Sequence, residues 1–428
     1  MGEVSISHNG RKTVRRTGVQ LRKVMKEPQI QKLRNTKNKN GNRMSTMVAS
    51  AVAICLIAFL LHRFFEIPAS VELWPAGASP DQRMAAVFYA RHGNVSVLEY
   101  TTAYPQPILK PNQVLIRVHA SSLNPCDFKY RRNYVPNWIL PKPKIPGDDV
   151  AGVVVLSNTN TFLVGDRVAA MLPLIGSRWG AAAEFVAVDA NLVAPIGVNT
   201  DFASAASLPL VALTTIQALN KIQRPTAGKR ILIQAGAGGV GTFAIQYAKH
   251  VLGMYVAATA SAEKGDLLRD LGCDQVIDYR SELFESVVRD FDVVLDPVSW
   301  AYEDRTVGKN STVLKSNGHY LNIGSSDWKW DGAERSNGPN TLWNAMYSKA
   351  RNLVFPGSVP RYDLVFVSPN GKQLQDVMDL LDNSTIRAVI DRTFHLADAA
   401  AAYEYLEQGR ARGKVILFNV EDGEFIRK

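Results

Sequence analysis

The amino-acid sequence predicts an α/β protein with two domains, one rich in strands and one built on a doubly wound parallel sheet. Three observations predict this class. Residues 84–206 contain short β-type runs separated by turn residues, residues 207–352 alternate apolar strands with helices, and a glycine-rich loop joins a strand to a helix within the alternating part. A chain of 428 residues is long enough to bury two such cores.

The formal net charge of +10 belongs to the N-terminal tail. Residues 1–46 hold 12 of the 49 basic residues and 2 of the 39 acidic ones, so 37 residues of each sign remain in residues 47–428. A balanced remainder has no strong basic excess, and we predict no nucleic-acid partner. The three cysteines are far apart and odd in number, which excludes a disulfide framework and a cysteine-based zinc module.

An apolar segment follows the basic tail. Residues 47–61 (MVASAVAICLIAFLL) are 15 uncharged residues, fewer than the roughly 20 that a spanning helix usually needs. If the segment is extended in both directions and the Arg63 side chain reaches the membrane interface, it has the length of a spanning helix. We predict a membrane anchor at residues 47–65, with a buried core helix as the alternative, followed by a linker at residues 66–83. The tail in front of it is compatible with mitochondrial targeting, with binding to anionic lipid, or with the basic flank of a signal anchor.

The most specific motif is the glycine loop in residues 228–249 (GKRILIQAGAGGVGTFAIQYAK). Gly236, Gly238 and Gly241 have G-x-G-x-x-G spacing, directly after an apolar strand and directly before a helix. Glycines at this spacing let the backbone turn tightly and approach a pyrophosphate at the positive end of the helix. We therefore predict dinucleotide binding, with a simple tight turn as the alternative.

The end of the next strand distinguishes the two dinucleotides. An Asp or Glu there would accept a hydrogen bond from the ribose 2′-hydroxyl of NAD, but residues 257–262 read AATASA. Ser261 and Lys264 offer a donor and a positive charge for a 2′-phosphate. Glu263 would favour NAD if its side chain turned inward. The sequence predicts NADPH.

Several further motifs extend over most of residues 84–419, and together they are more specific than the glycine loop alone. With that loop, the chain resembles the medium-chain dehydrogenase/reductase superfamily, in its zinc-free quinone-oxidoreductase branch. The resemblance implies a GroES-like catalytic domain, residues 84–206 and 353–428, split around a Rossmann domain at residues 207–352. The motifs are SSLNPCDFKYR (121–131), IPGDDVAGVV (145–154), GDRV (165–168), WGAAAEFV (179–186), AASLPLVALTTIQAL (205–219), LLRDLGCDQVIDYR (267–280) and GRARGKVIL (409–417).

The resemblance also implies contacts to the cofactor. Lys264 and Tyr279 would contact the 2′-phosphate, a pair that lies 15 positions apart in the family as it does here. A mitochondrial location and a homodimer are further expectations, with the endoplasmic reticulum as the alternative location. The predicted NADPH-binding set is Gly236, Gly238, Gly239, Val240, Gly241, Ser261, Lys264, Tyr279, Ile323 and Arg412.

Zinc-dependent relatives ligate the metal through a Cys at the position of Asn124 and a His at the position of Asp148. Neither an Asn nor an isolated Asp belongs to the ligand set that catalytic zinc prefers, so we expect chemistry without a metal. Cys126 is interpreted as a small apolar filler rather than a reactive thiol.

Metal-free hydride transfer suits quinones and α,β-unsaturated carbonyls, because these acceptors delocalise the negative charge themselves. Candidate wall residues of the substrate site are Asn124 and Asp127, with Tyr134 as a possible donor to the developing enolate. Simple packing is an equal alternative for Tyr134. Three hypotheses remain open: an NADPH-dependent quinone or enone reductase held at a membrane, an enoyl-thioester reductase, and a membrane-tethered scaffold that keeps the fold without turnover.

Overall fold

A computed structural model describes residues 82–133, 142–222, 226–298, 302–308, 311–323, 350, 353–354 and 360–419. The basic tail, the apolar segment at residues 47–65, the linker and Tyr134 lie outside the described residues. Within those ranges, no helix has the length and apolar character needed to cross a bilayer.

The described strands follow the β-type runs of the sequence, with additions such as β2 and β13. Their bounds are β1 Arg83–Phe88, β2 Glu99–Pro105, β3 Gln113–Ser122, β4 Asp149–Ser157, β5 Arg167–Met171, β6 Phe185–Asp189, β7 Val193–Pro195, β8 Arg230–Ile233, β9 Tyr255–Ala260, β10 Gln275–Asp278, β11 Phe291–Asp296, β12 Leu314–Asn322, β13 Arg361–Leu364, β14 Ile390–His395 and β15 Lys414–Phe418.

The described helices are short, and the expected single helix over residues 203–220 is divided in two. Pro209 lacks the N–H that a continuous helix would need, so it begins a second helix instead. The helices are α1 Pro125–Arg131, α2 Phe202–Ala206, α3 Pro209–Leu219, α4 Gly239–Gln246, α5 Gly265–Asp270, α6 Phe284–Val287, α7 Glu303–Val307, α8 Gly371–Asp382 and α9 Ala399–Glu407. A π-helical turn, Tyr247–Val251, extends α4.

The parallel sheet has six strands in the order β10-β9-β8-β11-β12-β13. The order reverses between β8 and β11, and in doubly wound sheets ligands bind at the carboxyl ends of the strands beside such a switch point. The glycine loop leaves β8 at this point. Strand β13 pairs with β12 in this sheet, so the chain returns to the other sheet after Leu364 rather than at residue 353.

The second sheet has seven strands, in the order β14-β15-β3-β4-β5-β7 with β6 also paired to β3. Strand β15 comes from the C-terminal part of the chain and pairs antiparallel with β3, with Ile416 opposite Ser122. This pairing brings the beginning of β15 next to the loop between β3 and α1.

The two sheets meet through α3, α4 and the start of β15. One buried apolar cluster includes Val211 and Leu213 of α3, Phe243 of α4, Met171 of β5 and Ile416 of β15. The backbone N–H of Gly413 donates to the carbonyl oxygen of Ala237 over 2.8 Å. The glycine loop is therefore attached directly to the seven-stranded sheet.

Candidate functional site

The three glycines of the loop have different surroundings. A Cβ on Gly236 would lie 2.8 Å from the Ala258 and Leu268 side chains, and one on Gly241 would lie 2.4 Å from the Ala235 carbonyl oxygen. A Cβ on Gly238 would meet only that same oxygen, at 3.4 Å. Gly236 and Gly241 therefore permit close packing, whereas Gly238 leaves an open face at the N-terminus of α4, as a pyrophosphate site requires.

The loop is held by hydrogen bonds to the next strand. The N–H of Gly236 donates to the Thr259 carbonyl oxygen over 2.7 Å, and the N–H of Ala235 donates to the Thr259 hydroxyl over 3.0 Å. That hydroxyl donates in turn to Oε1 of Gln234. Ala235 has a φ of 50°, in the left-handed region, and these bonds hold it there. These bonds therefore fix the conformation of the loop backbone that would approach a cofactor.

Cations surround the end of β9. The Lys264 ammonium donates to the Arg410 carbonyl oxygen over 3.0 Å. Partial burial, followed by the nearby charges of Arg412 and Arg280, lowers the pKa of Lys264. Mutually repelling cations at one place indicate a site that is electrostatically suited to an anion such as a phosphate.

Glu263 is exposed beside the end of β9. Its carboxylate pairs with Arg280 at 3.2 Å. A backbone hydrogen bond and one from the Ser261 hydroxyl lower its pKa. The Glu263 carboxylate therefore already has partners, which weakens the argument for NAD.

Two of the remaining predicted cofactor residues follow strands of the parallel sheet, and the third precedes β15 of the other sheet. Tyr279 follows β10 and is half exposed, and Ile323 follows β12, with its N–H donating to the Asp296 carbonyl oxygen. Arg412 is exposed just before β15. These positions are compatible with one extended nucleotide site, and the individual contacts remain predictions.

The predicted wall residues come from α1. Asn124 is the N-cap of this helix, and its backbone N–H donates to Asp127 Oδ2 over 2.8 Å. Asp127 Oδ1 accepts from the N–H of Gly147 over 3.2 Å. Asp127 therefore fastens the start of α1 to the segment that enters β4. Both wall residues are almost fully buried.

A buried ionic cluster lies behind Asn124. The Asp149 carboxylate accepts hydrogen bonds from the Asn124 amide at 2.7 Å, the Ser122 hydroxyl at 2.6 Å and the Leu210 N–H at 2.7 Å. The Lys414 ammonium lies 3.4 Å from Asp149 Oδ2 and donates to Asn124 Oδ1. Both ends of the Asn124 carboxamide are thus occupied.

Burial alters the protonation of the acids in front of this cluster. Burial raises the pKa of Asp127 to about 6, against its hydrogen bond from Asn124 and the opposing charge of Lys414. Burial, and then Asp127, raise the pKa of Asp148 well above its usual range. Burial, and then Asp148, also raise the pKa of the Cys126 thiol. The raised pKa favours the protonated form of the Cys126 thiol, which donates to Asp148 over 3.3 Å.

Cys126, Asp127 and Asp148 could supply ligands to a metal, because their donor atoms lie within 4.8 Å of one another. The set does not fit catalytic zinc. It offers no imidazole, and both Asp127 oxygens already accept backbone N–H groups. The chemistry of these donors supports the metal-free interpretation.

Sequence reasoning missed Asp149 and Lys414 as parts of the site. Both lie in the quoted family motifs, but 265 positions separate them, and no local pattern shows that a C-terminal strand returns beside β3. A lysine within an apolar strand, GKVILF, was the available signal.

The chain matches two protein families. Residues 110–198 match the alcohol dehydrogenase GroES-like domain, and residues 271–417 match zinc-binding dehydrogenase.

Curated relatives cover most of the chain. It is 36% identical over 345 residues to 2-methylene-furan-3-one reductase of Solanum lycopersicum, covering 78% of this chain and 79% of that protein. It is 35% identical to the chloroplastic NADPH-dependent alkenal/one oxidoreductase of Arabidopsis thaliana, covering 81% and 82%. It is 33% identical to the mitochondrial NAD(P)H oxidoreductase RTN4IP1 of Homo sapiens, covering 78% and 89%.

Solved structures share the fold. The quinone oxidoreductase from Coxiella burnetii has a TM-score of 0.66 at 29% identity, covering 79% of this chain and 100% of that chain. A mycobacterial protein solved with NADPH has a TM-score of 0.62 at 27% identity, covering 78% and 99%.

The raised pKa of Asp127 predicts a stability effect. The folded state binds this proton more tightly than the unfolded state, so Asp127 contributes a loss of stability as the pH rises from about 4 through 6, of about 3 kcal/mol in all. In Asp127→Asn, the free energy of unfolding should therefore fall less over this interval than in the wild type. Urea unfolding at pH 4.5 and pH 7 measures the difference. Asp376→Asn, at an exposed position on α8, is the control, and an equal fall in Asp127→Asn and wild type would refute the assignment.

Proposed function

The chain belongs to the medium-chain dehydrogenase/reductase superfamily, in its quinone-oxidoreductase-like group, and we propose that it uses NADPH to reduce quinones or α,β-unsaturated carbonyls without zinc. The observation that carries the proposal is the combination of an open Gly238 face with a cationic strand end, where Lys264 lies near Arg412 and Glu263 pairs with Arg280. This combination fits a dinucleotide with a 2′-phosphate.

The names of the relatives favour conjugated acceptors. They refer to a methylene-furanone, to alkenals and alkenones, and to quinones. In each class the carbon that accepts hydride is conjugated to an oxygen that takes up the charge. Such an acceptor needs orientation and one proton but no strong Lewis acid.

The residues of this chain would divide the task. Gly238, Gly239 and the N-terminus of α4 would bind the pyrophosphate, while Ser261 and Lys264 would bind the 2′-phosphate. Bound NADPH would supply the hydride. Asn124 and Asp127 would form a rigid polar wall beside the acceptor, and Tyr134 would donate a hydrogen bond or the proton.

Zinc independence rests on the residues at the ligand positions. Asn124 directs its carboxamide at Lys414 and Asp149, and Asp148 accepts a hydrogen bond from the Cys126 thiol. A carboxamide bound to an ammonium is a poor zinc ligand. We therefore expect dialysis against a chelator to leave activity unchanged.

We also propose that residues 47–65 anchor the protein to a mitochondrial membrane. The support is the apolar run, the basic tail in front of it and the mitochondrial location in the name of the human relative. A membrane location would bring a lipophilic quinone within reach.

Turnover tests the main proposal. The full-length protein should oxidise NADPH when it is given short-chain quinones, cyclohexenone or an alkenal, and should ignore saturated ketones. Tyr134→Phe should lower kcat by roughly 10²-fold if Tyr134 donates the proton. Oxidation only with an enoyl-CoA would favour the enoyl-thioester alternative, and NADPH binding without turnover would favour the scaffold.

Lys264 should determine the choice of cofactor. Lys264→Gln removes a charge at the proposed 2′-phosphate site, so the Kd for NADPH should rise about tenfold or more while the Kd for NADH changes little. Fluorescence titration measures both. Lys249→Gln is the matched control, because the Lys249 ammonium pairs with Asp274 at 2.6 Å. Equal weakening of both nucleotides by Lys264→Gln would contradict the assignment.

Carbonate extraction tests the anchor. Full-length protein should remain in the membrane pellet of mitochondria, and a variant lacking residues 47–65 should move to the supernatant. A variant lacking residues 1–40 should remain in the pellet once it is membrane-bound. Release of the full-length protein would refute the anchor, and enrichment in the endoplasmic reticulum would refute the location.

A further inference from the structure

Lys414 is a buried lysine at the first position of β15. Its side chain is 5% exposed, and the partner carboxylate of Asp149 is fully buried. A lysine ammonium has three donors, and the contacts to Asn124 and Asp149 use two of them. Burial of this cation needs a reason, because taking a charge out of water costs several kcal/mol, a penalty that only well-placed partners offset.

The stem of Lys414 passes over the glycine loop. A Cβ on Gly239 would lie 2.8 Å from Lys414 Cδ, so a glycine is needed there for the stem to pass. The preceding residue, Gly413, bridges to Gly238 and donates its N–H to Ala237. Lys414 therefore joins the proposed pyrophosphate loop to the proposed substrate wall in a single side chain.

Lys414 also acts on Asp127. The charge of Lys414 favours the ionised form of this carboxyl, whereas Asp149 opposes it. The ionised form matters for geometry, because Asp127 accepts the N–H groups of both Asn124 and Gly147. A protonated carboxyl would bind these two donors more weakly.

Other titratable groups face Asp127 from each neighbouring element. On α1 they are Cys126 and Tyr130, on the segment entering β4 they are Lys144 and Asp148, and on β4 it is Asp149. Tyr89 follows β1, and Tyr403 lies on α9. Lys144 is buried and is the second cation of this set, but its ammonium donates to the Ser177 carbonyl oxygen.

We propose that Lys414 is a positioning residue of the reduction, which orients the Asn124 carboxamide through a hydrogen bond and stabilises, through its charge, the Asp127 carboxylate that holds the Asn124 backbone. The role of Lys414 in the reduction rests on the proposed function, whereas its electrostatic effect on Asp127 does not depend on that function. Asn124 is then held at two points, its side chain by Lys414 and Asp149, its backbone by Asp127. The acceptor would therefore lie beside Asn124 and Asp127, whose positions depend on the buried Lys414 ammonium.

Two substitutions of Lys414 separate charge from shape. Lys414→Gln keeps a donor for Asn124 but removes the charge, so Asp127 should bind its proton more tightly and the acid limb of kcat/KM should move to higher pH. At pH 6 we expect kcat/KM to fall roughly threefold or more, with a smaller loss at pH 8. Lys414→Arg keeps the charge and should leave the acid limb at its wild-type pH.

Asp149→Asn provides a test of sign. Because Asp149 disfavours the ionised form of Asp127, its neutralisation should move the Asp127 titration to lower pH, opposite to Lys414→Gln. A purely structural role would not produce opposite shifts. Lys372→Gln, at an exposed lysine on α8, controls for the removal of a positive charge.

The titration is also measured without turnover. Carbon-13 NMR of full-length protein labelled at the aspartate carboxyls follows Asp127, assigned through Asp127→Asn, and melting temperatures show which variants are folded. An unchanged Asp127 titration in folded Lys414→Gln overturns the inference. If that variant is unfolded, a shift in Asp149→Asn to higher pH, or no shift, overturns it. Absence of wild-type turnover would instead refute the proposed function and leave the NMR result to decide the role of Lys414.

Discussion

The ion pair between Lys414 and Asp149 connects the parts of this molecule that must act together. Lys414 begins the last described strand, and Asp149 begins β4. Through Asn124, Ser122 and the N–H of Leu210, the same carboxylate reaches α1, β3 and α3. Four elements from distant parts of the sequence converge on one buried anion, and the cation that balances it lies against the glycine loop. A buried pair of this kind contributes little net stability, but loss of one partner is costly, about 3–5 kcal/mol. The ion pair instead specifies one arrangement of the elements that converge on it.

The neighbourhood of Asn124 is unusually rich in acids. Asp127, Asp148 and Asp149 are all buried within the same region, and burial raises the pKa of the first two. Three ionised carboxylates side by side would repel one another strongly in a low-dielectric environment. Each of the three carboxyl groups is stabilised in a different way. Asp149 has an ammonium, Asp127 has two backbone N–H groups, and Asp148 has a raised pKa and a thiol donor. The raised pKa of Asp148 favours the protonated form of this third acid.

Local patterns predicted the fold well where the signal was local. The apolar run before Gly236 and the helix after it are found as β8 and α4, and the GroES-like and Rossmann parts are both present. The helix-like pattern of residues 203–220 does not show the division of α2 from α3, which Pro209 causes because it cannot continue a helix. The join between β15, β3 and the glycine loop could not be read from the sequence, since it depends on contacts between residues more than 250 positions apart. For the same reason Asn124 and Asp127 were identified as wall residues without the ion pair that holds them.

The poor fit of the described side chains beside α1 to zinc and the conjugation of the proposed acceptors both relate to one physical requirement. A reductase must stabilise negative charge that develops on an oxygen as hydride arrives. An unconjugated carbonyl concentrates that charge, and a metal or another strong electrophile has to meet it. A quinone or enone spreads the charge over several atoms, so a rigid polar wall and one proton are sufficient. In the described residues the position beside α1 holds a carboxamide locked by Lys414 and an acid locked by backbone N–H groups. Such groups would give a proposed acceptor a rigid neighbouring surface and would polarise it weakly. The proposed site would therefore suit acceptors that delocalise the charge themselves, and its selectivity would come from shape and orientation rather than from electrophilic strength.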